Sequence, residues 1–261
     1  MTLVEGAGQG RRRLGRSLAW GGVYAAILLA WSALALMAPQ RPAAEGLEPW
    51  LLEALCRPAG EAGPGALLGM WGLMSLAMML PGFVPAARTF DALGACGARD
   101  GTGLAALVGG YLAVWAGFSA LGALAQAELS RAGLLDGQGA SRSALLTAAL
   151  FAGAGLYQFS ALKDACLTRC RHPLSFFLQH WRPGAGAAFA MGARLGLACL
   201  GCCWALMALA FVGGTMHLGW MAAATLFMTM EKLDPPGRAL TRPAGVLLLA
   251  AGGWTLAAGP I

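Results

Sequence analysis

The sequence predicts an all-α protein, a polytopic transmembrane helix bundle of about seven spans with its N-terminus inside and its C-terminus outside. Three observations predict it. Apolar residues make up 58% of the 261 residues and charged residues only 11%, where a soluble domain carries about 25% charged. The mean hydropathy is +0.63. The charges gather between apolar runs, and most of the basic ones map to one side.

Residues 1–17 form a basic segment holding Arg11, Arg12, Arg13 and Arg16, assigned to the cytoplasmic side. Residues 18–261 read as a single transmembrane domain. A span needs about 20 mostly apolar residues. The first, over 18–38, is too long for the ~7–15-residue core of a signal peptide, and no clear cleavage site follows, so it is expected to stay uncleaved. The loop after it carries Glu45, Glu48, Glu53 and Glu61 among Pro and Gly, which favours an irregular connection.

The second span covers 66–85. Its Pro81 lacks an N–H, so it is expected to kink the helix and free the carbonyl four residues earlier. Spans three to five cover 104–127, 144–162 and 187–213. Only Gly214 and Thr215 separate the fifth from a short sixth over 216–230, which predicts a tight helical hairpin. A short seventh covers 244–258. Gly69, Gly110, Gly117, Gly153 and Gly155 fall within spans, where small residues let helix backbones approach closely.

Loop charges set the orientation. With the N-terminus inside, the inner segments hold Arg11, Arg12, Arg13, Arg16, Arg88, Arg99, Lys163, Arg169, Arg171, Arg182, Lys232, Arg238 and Arg242. The outer loops hold Arg41, Arg57, Arg131 and Arg142. Arg194 stands within a span and needs a carbonyl or anionic partner, or must reach the interface.

The net charge of +6 does not indicate nucleic acid, because no stacking aromatics alternate with the basic residues. The lipid bilayer is the expected surroundings. No Ser-His-Asp set, no HExxH and no phosphate-binding loop is present. Nor is there a DKTGT-like phosphorylation site, which argues against an ATP-driven pump. Nothing assigns the chain an enzyme's catalytic set.

The chemistry lies in sulfur. Cys199, Cys202 and Cys203, at offsets of three and four, share one face of the fifth span, with Met207 beside them. Thiolates and thioethers select Cu(I) or another soft metal ion. Buried cysteines also serve as small hydrophobes, and paired thiols serve redox chemistry. In the second span Met74 and Met78 share a face, with Met79 next to them.

Cys166 and Cys170 follow the fourth span at i and i+4, beside Arg169 and Arg171, whose charges favour thiolate. Met216 and His217 open the sixth span at the outer face. The seven cysteines form no disulfide framework, and Cys56 and Cys96 stand alone in loops.

Three stretches together carry a resemblance. They are Trp71-Gly72-Leu73-Met74-Ser75-Leu76-Ala77-Met78-Met79-Leu80-Pro81, then Tyr157-Gln158 with Leu162-Lys163 and Cys166 to Pro173, then Gly201-Cys202-Cys203-Trp204 through Glu231-Lys232-Leu233. Over roughly 66–253 the chain resembles the bacterial predicted metal-binding integral membrane proteins, a family sometimes labelled copper chaperones. Leu195 stands where that family often has His before Gly, and His217 follows Met216 where Asn is common. The resemblance implies a multi-pass protein of the bacterial inner membrane with Cys and Met motifs as metal ligands.

The leading expectation is therefore a Cu(I)-handling membrane protein. Cys166 and Cys170 would collect the ion at the cytoplasmic edge. Cys199, Cys202 and Cys203 would hold it opposite Met74, Met78 and Met79, with Met216 and His217 at the outer exit. A separate metal donor or acceptor protein is the expected partner. The rival readings are a membrane thiol-disulfide oxidoreductase and a structural subunit whose sulfurs only pack.

Overall fold

The computed structural model describes residues 2–37, 63–95, 102–215, 217–233 and 236–258. Cys56, Cys96, Met216 and the acidic loop after the first span lie outside them. The described residues form ten helices, with no strand beyond one antiparallel bridge between Leu135 and Ser141. In order these are α1 (Thr2–Met37), α2 (Pro64–Ala95), α3 (Thr102–Arg131), α4 (Ala144–Tyr157) and α5 (Ala161–Arg171). There follow α6 (Pro173–His180), α7 (Ala185–Ala208), α8 (Ala210–Gly213), α9 (Leu218–Glu231) and α10 (Pro236–Ala258).

Local chemistry explains the boundaries. Ser143 and Ser160 cap α4 and α5, their hydroxyls accepting from the backbone N–H of Leu146 and Lys163, which satisfies donors that a helix start leaves free. The fourth span does not run through 162 as one helix. It stops at Tyr157, and the chain turns by 64° into α5.

As expected, Pro81 frees a carbonyl of α2, which itself continues through Pro81 and Pro85 as one helix. The carbonyl freed by Pro81 belongs to Ala77, and Trp31 of α1 donates its indole N–H to it at 2.9 Å. The missing intrahelical bond has become an interhelical one.

Four segments are long and apolar enough to cross a membrane: Ser17–Met37, Pro64–Gly94, Thr102–Arg131 and Ala185–Gly213. The bent pair α4–α5 would make a fifth. The sixth and seventh expected spans do not reach that standard. α9 has 14 residues, about 21 Å at 1.5 Å each, against ~30 Å of hydrocarbon. α10 is long enough at 23 residues, but Arg238, Arg242 and Pro243 fall in its first two turns.

α3 and α7 make the bundle's most extensive helix pairing. Gly110 of α3 meets the backbone carbonyl of Phe189, and Gly192 of α7 meets that of Leu107, so a Cβ at either would strike main chain. α2 packs on α3 through paired Ser75 and Ser119 hydroxyls at 2.9 Å and the Trp71 indole bonded to Gln126 at 2.8 Å. α1 lies outside α2, α10 pairs with α4, and α5 crosses α7. Around the perimeter large apolar side chains stand exposed, among them Leu28, Leu124, Leu145, Leu197 and Leu247.

Candidate metal centre

Cys199 is the midpoint of the 29-residue segment Ala185–Gly213. One turn further along the same face come Cys202 and Cys203. All three are buried, and their sulfurs lie within 4.8 Å of one another. The thiols of Cys202 and Cys203 donate to the Cys199 carbonyl at 3.0 and 2.8 Å. Each thus parks its proton on the preceding turn of its own helix.

Other elements close the site. From α2, Met79 brings its thioether sulfur to 3.7 Å from Cys203 Sγ and 4.0 Å from Cys199 Sγ. From α3, the Tyr111 hydroxyl stands 3.0 Å from Cys199 Sγ and also donates to the Met79 carbonyl at 3.2 Å. The ring of Phe83 stacks on Tyr111 with centroids 4.1 Å apart. From the end of α9, Lys232 donates its ammonium to Cys199 Sγ at 3.2 Å.

Cys166 and Cys170 lie on α5, which packs against α7. That packing sets Cys170 on the side of Cys199 and Cys202. Cys166 presses its sulfur into the notch at Gly201, where any Cβ would collide with it. The expected collecting pair thus adjoins the three-thiol cluster of α7. The five cysteines on these two helices are all free.

The structure separates the methionines. Met79 reaches the thiols. Met74 and Met78 are buried in the core, but on a helix they point about 100–140° away from Met79. Met207 is buried one turn beyond Cys203. His217 is not brought to the cluster: it caps α9, its Nδ1 accepting from the Trp220 N–H at 3.0 Å, and the length of α9 separates it from Lys232.

Glu231 and Lys232 do not pair with each other. Glu231 turns to Lys163 of α5, Oε2 to Nζ 2.9 Å, with side chains only 2% and 1% exposed. Arg171 Nε donates to the Glu231 carbonyl at 2.9 Å. These contacts fasten the end of α9 to α5 and set Lys232 beside the sulfurs.

Sequence reasoning missed Lys232 and Tyr111 as neighbours of the site. They lie 33 and 88 residues from Cys199. The advance signal for Tyr111 was polarity in an apolar run, and that for Lys232 its place in the Glu231-Lys232-Leu233 stretch that carries the resemblance.

Fold and site together define a class: an all-helical protein, with several helices apolar enough to cross a membrane, built around a buried thiol cluster able to hold a metal ion. The chain belongs to the PpoB2 family, described as a copper chaperone, which matches residues 68–255. The match takes in every residue of the cluster and leaves out α1. No curated protein and no solved structure matches the chain.

Proposed function

We propose that this chain is a multi-pass membrane copper chaperone that holds Cu(I) between Cys199, Cys202 and Cys203 and hands it on by thiol exchange. The observation that carries the reading is the all-sulfur donor set: three thiols within 4.8 Å of one another, with a thioether 3.7 Å from the nearest. Three sulfurs bonded at about 2.3 Å to a trigonal ion stand about 4.0 Å apart, so small side-chain rotations suffice. With sulfur alone as donor, the set suits a soft ion and not one that prefers oxygen.

The remaining groups have definite roles. Cys202 and Cys203 release their protons as they bind. Met79 supplies a neutral fourth donor, and Lys232 offsets the surplus negative charge of several thiolates around one monovalent ion. Cys170 and Cys166 offer successive sulfurs on α5, so the ion can move by exchanging one Cu–S bond at a time.

The exposed apolar perimeter supports a lipid environment. The charge bias supports an N-in, C-out arrangement in the bacterial inner membrane. On this reading α9 and α10 are the sixth and seventh crossings. A separate protein donates or accepts the copper.

The test is direct. The protein is purified in detergent, loaded with Cu(I) under reducing conditions, and its copper per chain compared with Cys202→Ser/Cys203→Ser. Wild-type loading that is lost in the double variant is expected. Equal loading in both overturns the assignment. Disulfides that cycle without copper uptake would instead favour the oxidoreductase.

A further inference from the structure

One side of the thiol cluster opens into a cleft of about 580 Å³ between α5, α6 and α7. Cys166 lies in its wall, and Arg169, Arg194, His180 and Gln179 line it. No aspartate or glutamate does, among the described residues. Arg194 is five residues from Cys199, about 7.5 Å along the helix. The guanidinium that stood unexplained within the fifth span thus faces this cleft.

Such a lining is wrong for a bare metal cation. Two fixed guanidiniums repel it, and no carboxylate draws it in. They suit a copper ion that arrives already wrapped in anionic ligands, since guanidinium binds carboxylate through paired charge-assisted hydrogen bonds. Cys166 is the sulfur placed to receive it: buried at 7% exposure, it lines the cleft on one side and touches the Gly201 turn that precedes Cys202 on the other.

We propose that this cleft is the docking site for Cu(I) carried as the complex of a small carboxylate-bearing thiol, with Arg169 and Arg194 holding the carrier's carboxylates and Cys166 taking the metal. The proposal rests on the copper-handling reading above and adds its substrate. In the exchange, a Cu–S bond to the carrier breaks as a Cu–S bond to Cys166 forms. The Cys166 proton leaves on the released carrier thiolate. Copper remains Cu(I), and no electron moves.

The experiment uses the full chain in detergent and two copper sources, Cu(I)–glutathione and Cu(I) solvated by acetonitrile. For Arg169→Gln/Arg194→Gln, the half-saturating concentration of Cu(I)–glutathione should rise at least about tenfold, as expected for lost hydrogen bonds to charged groups. Uptake from acetonitrile and the final copper per chain should not change. Metal-free S-methylglutathione should bind the wild type and not the variant.

Equal impairment with both sources overturns the proposal, because the variant would then have damaged the copper site or the fold. So does an unchanged response to Cu(I)–glutathione. If that unchanged response is accompanied by loss of a co-purifying anionic lipid, the cleft is a headgroup site instead. A wild type that takes copper from neither source defeats the underlying reading as well. One that takes it from both, with the variant indistinguishable, defeats this inference alone.

Discussion

Lys232 changes how the thiol cluster should behave. An ammonium 3.2 Å from Cys199 Sγ works against a lone cation but favours one surrounded by thiolates, because it neutralises part of their excess charge. On the proposed function, copper and protons compete for the same sulfurs, so apparent affinity falls as pH falls. In Lys232→Met the apparent Cu(I) affinity should drop at least about tenfold at neutral pH, the scale of a lost charge-assisted contact. The pH at which half the copper is released should move upward. Competition with a coloured Cu(I) chelator across pH measures both, and superimposable release curves would remove Lys232 from the site.

At this scale the sequence was legible where spacing along one helix decides the outcome. Offsets of three and four put Cys199, Cys202 and Cys203 together, and they are together. The same rule pointed to Met74 and Met78 on α2, yet Met79 is the residue that arrives. A shared face says which side chains lie together, not which face a neighbouring helix will meet. Tyr111 and Lys232 are set by helix packing and leave no local spacing to read.

Among the elements, two short helices matter most. α5 and α9 both end or cross near the middle of α7, and the Lys163–Glu231 pair joins them in nearly complete burial. Removing one partner of such a pair strands the other charge, at a cost of about 3–5 kcal/mol, while replacing both with apolar groups is often close to neutral. Lys163→Met should therefore lower the unfolding temperature in detergent sharply. Lys163→Met with Glu231→Leu should recover most of the loss. Thermal unfolding followed by circular dichroism distinguishes these outcomes. A double variant as unstable as the single would show that stranded charge is not the cause.

The break before α5 was hidden because residues 144–162 are mostly apolar. Only Ser160, a good helix cap, marked it. Pro81 was legible as a disturbance, but not its remedy, since nothing local announces that Trp31 will supply the donor to Ala77.

For the whole molecule, composition identified the helical class, and the order of three sulfur-bearing stretches identified the family. Span number was harder to read. Hydropathy counts an apolar run wherever it lies, whereas α9 is a run of 14 residues whose end is carried to the interior by Glu231. The thirteen inner basic residues were assigned to loops, yet Lys163 and Lys232 are drawn into the protein. Their charge serves the interior.

The central position of Cys199 in its helix has an electrical consequence. In the proposed membrane setting, a charge moved from either face to that depth crosses about half of the transmembrane voltage, roughly 1.2 kcal/mol per charge at 100 mV. Copper brings one positive charge, and, with Cys199 binding as a thiolate already paired to the Lys232 ammonium, the two thiols now bonded to its carbonyl each send a proton back, so net negative charge moves inward with the metal. Loading from the cytoplasmic side should then rise about sevenfold when 100 mV, inside negative, is imposed on proteoliposomes. A response of the opposite sign would mean that copper enters without releasing those protons. Voltage thus counts the protons that leave as the metal enters.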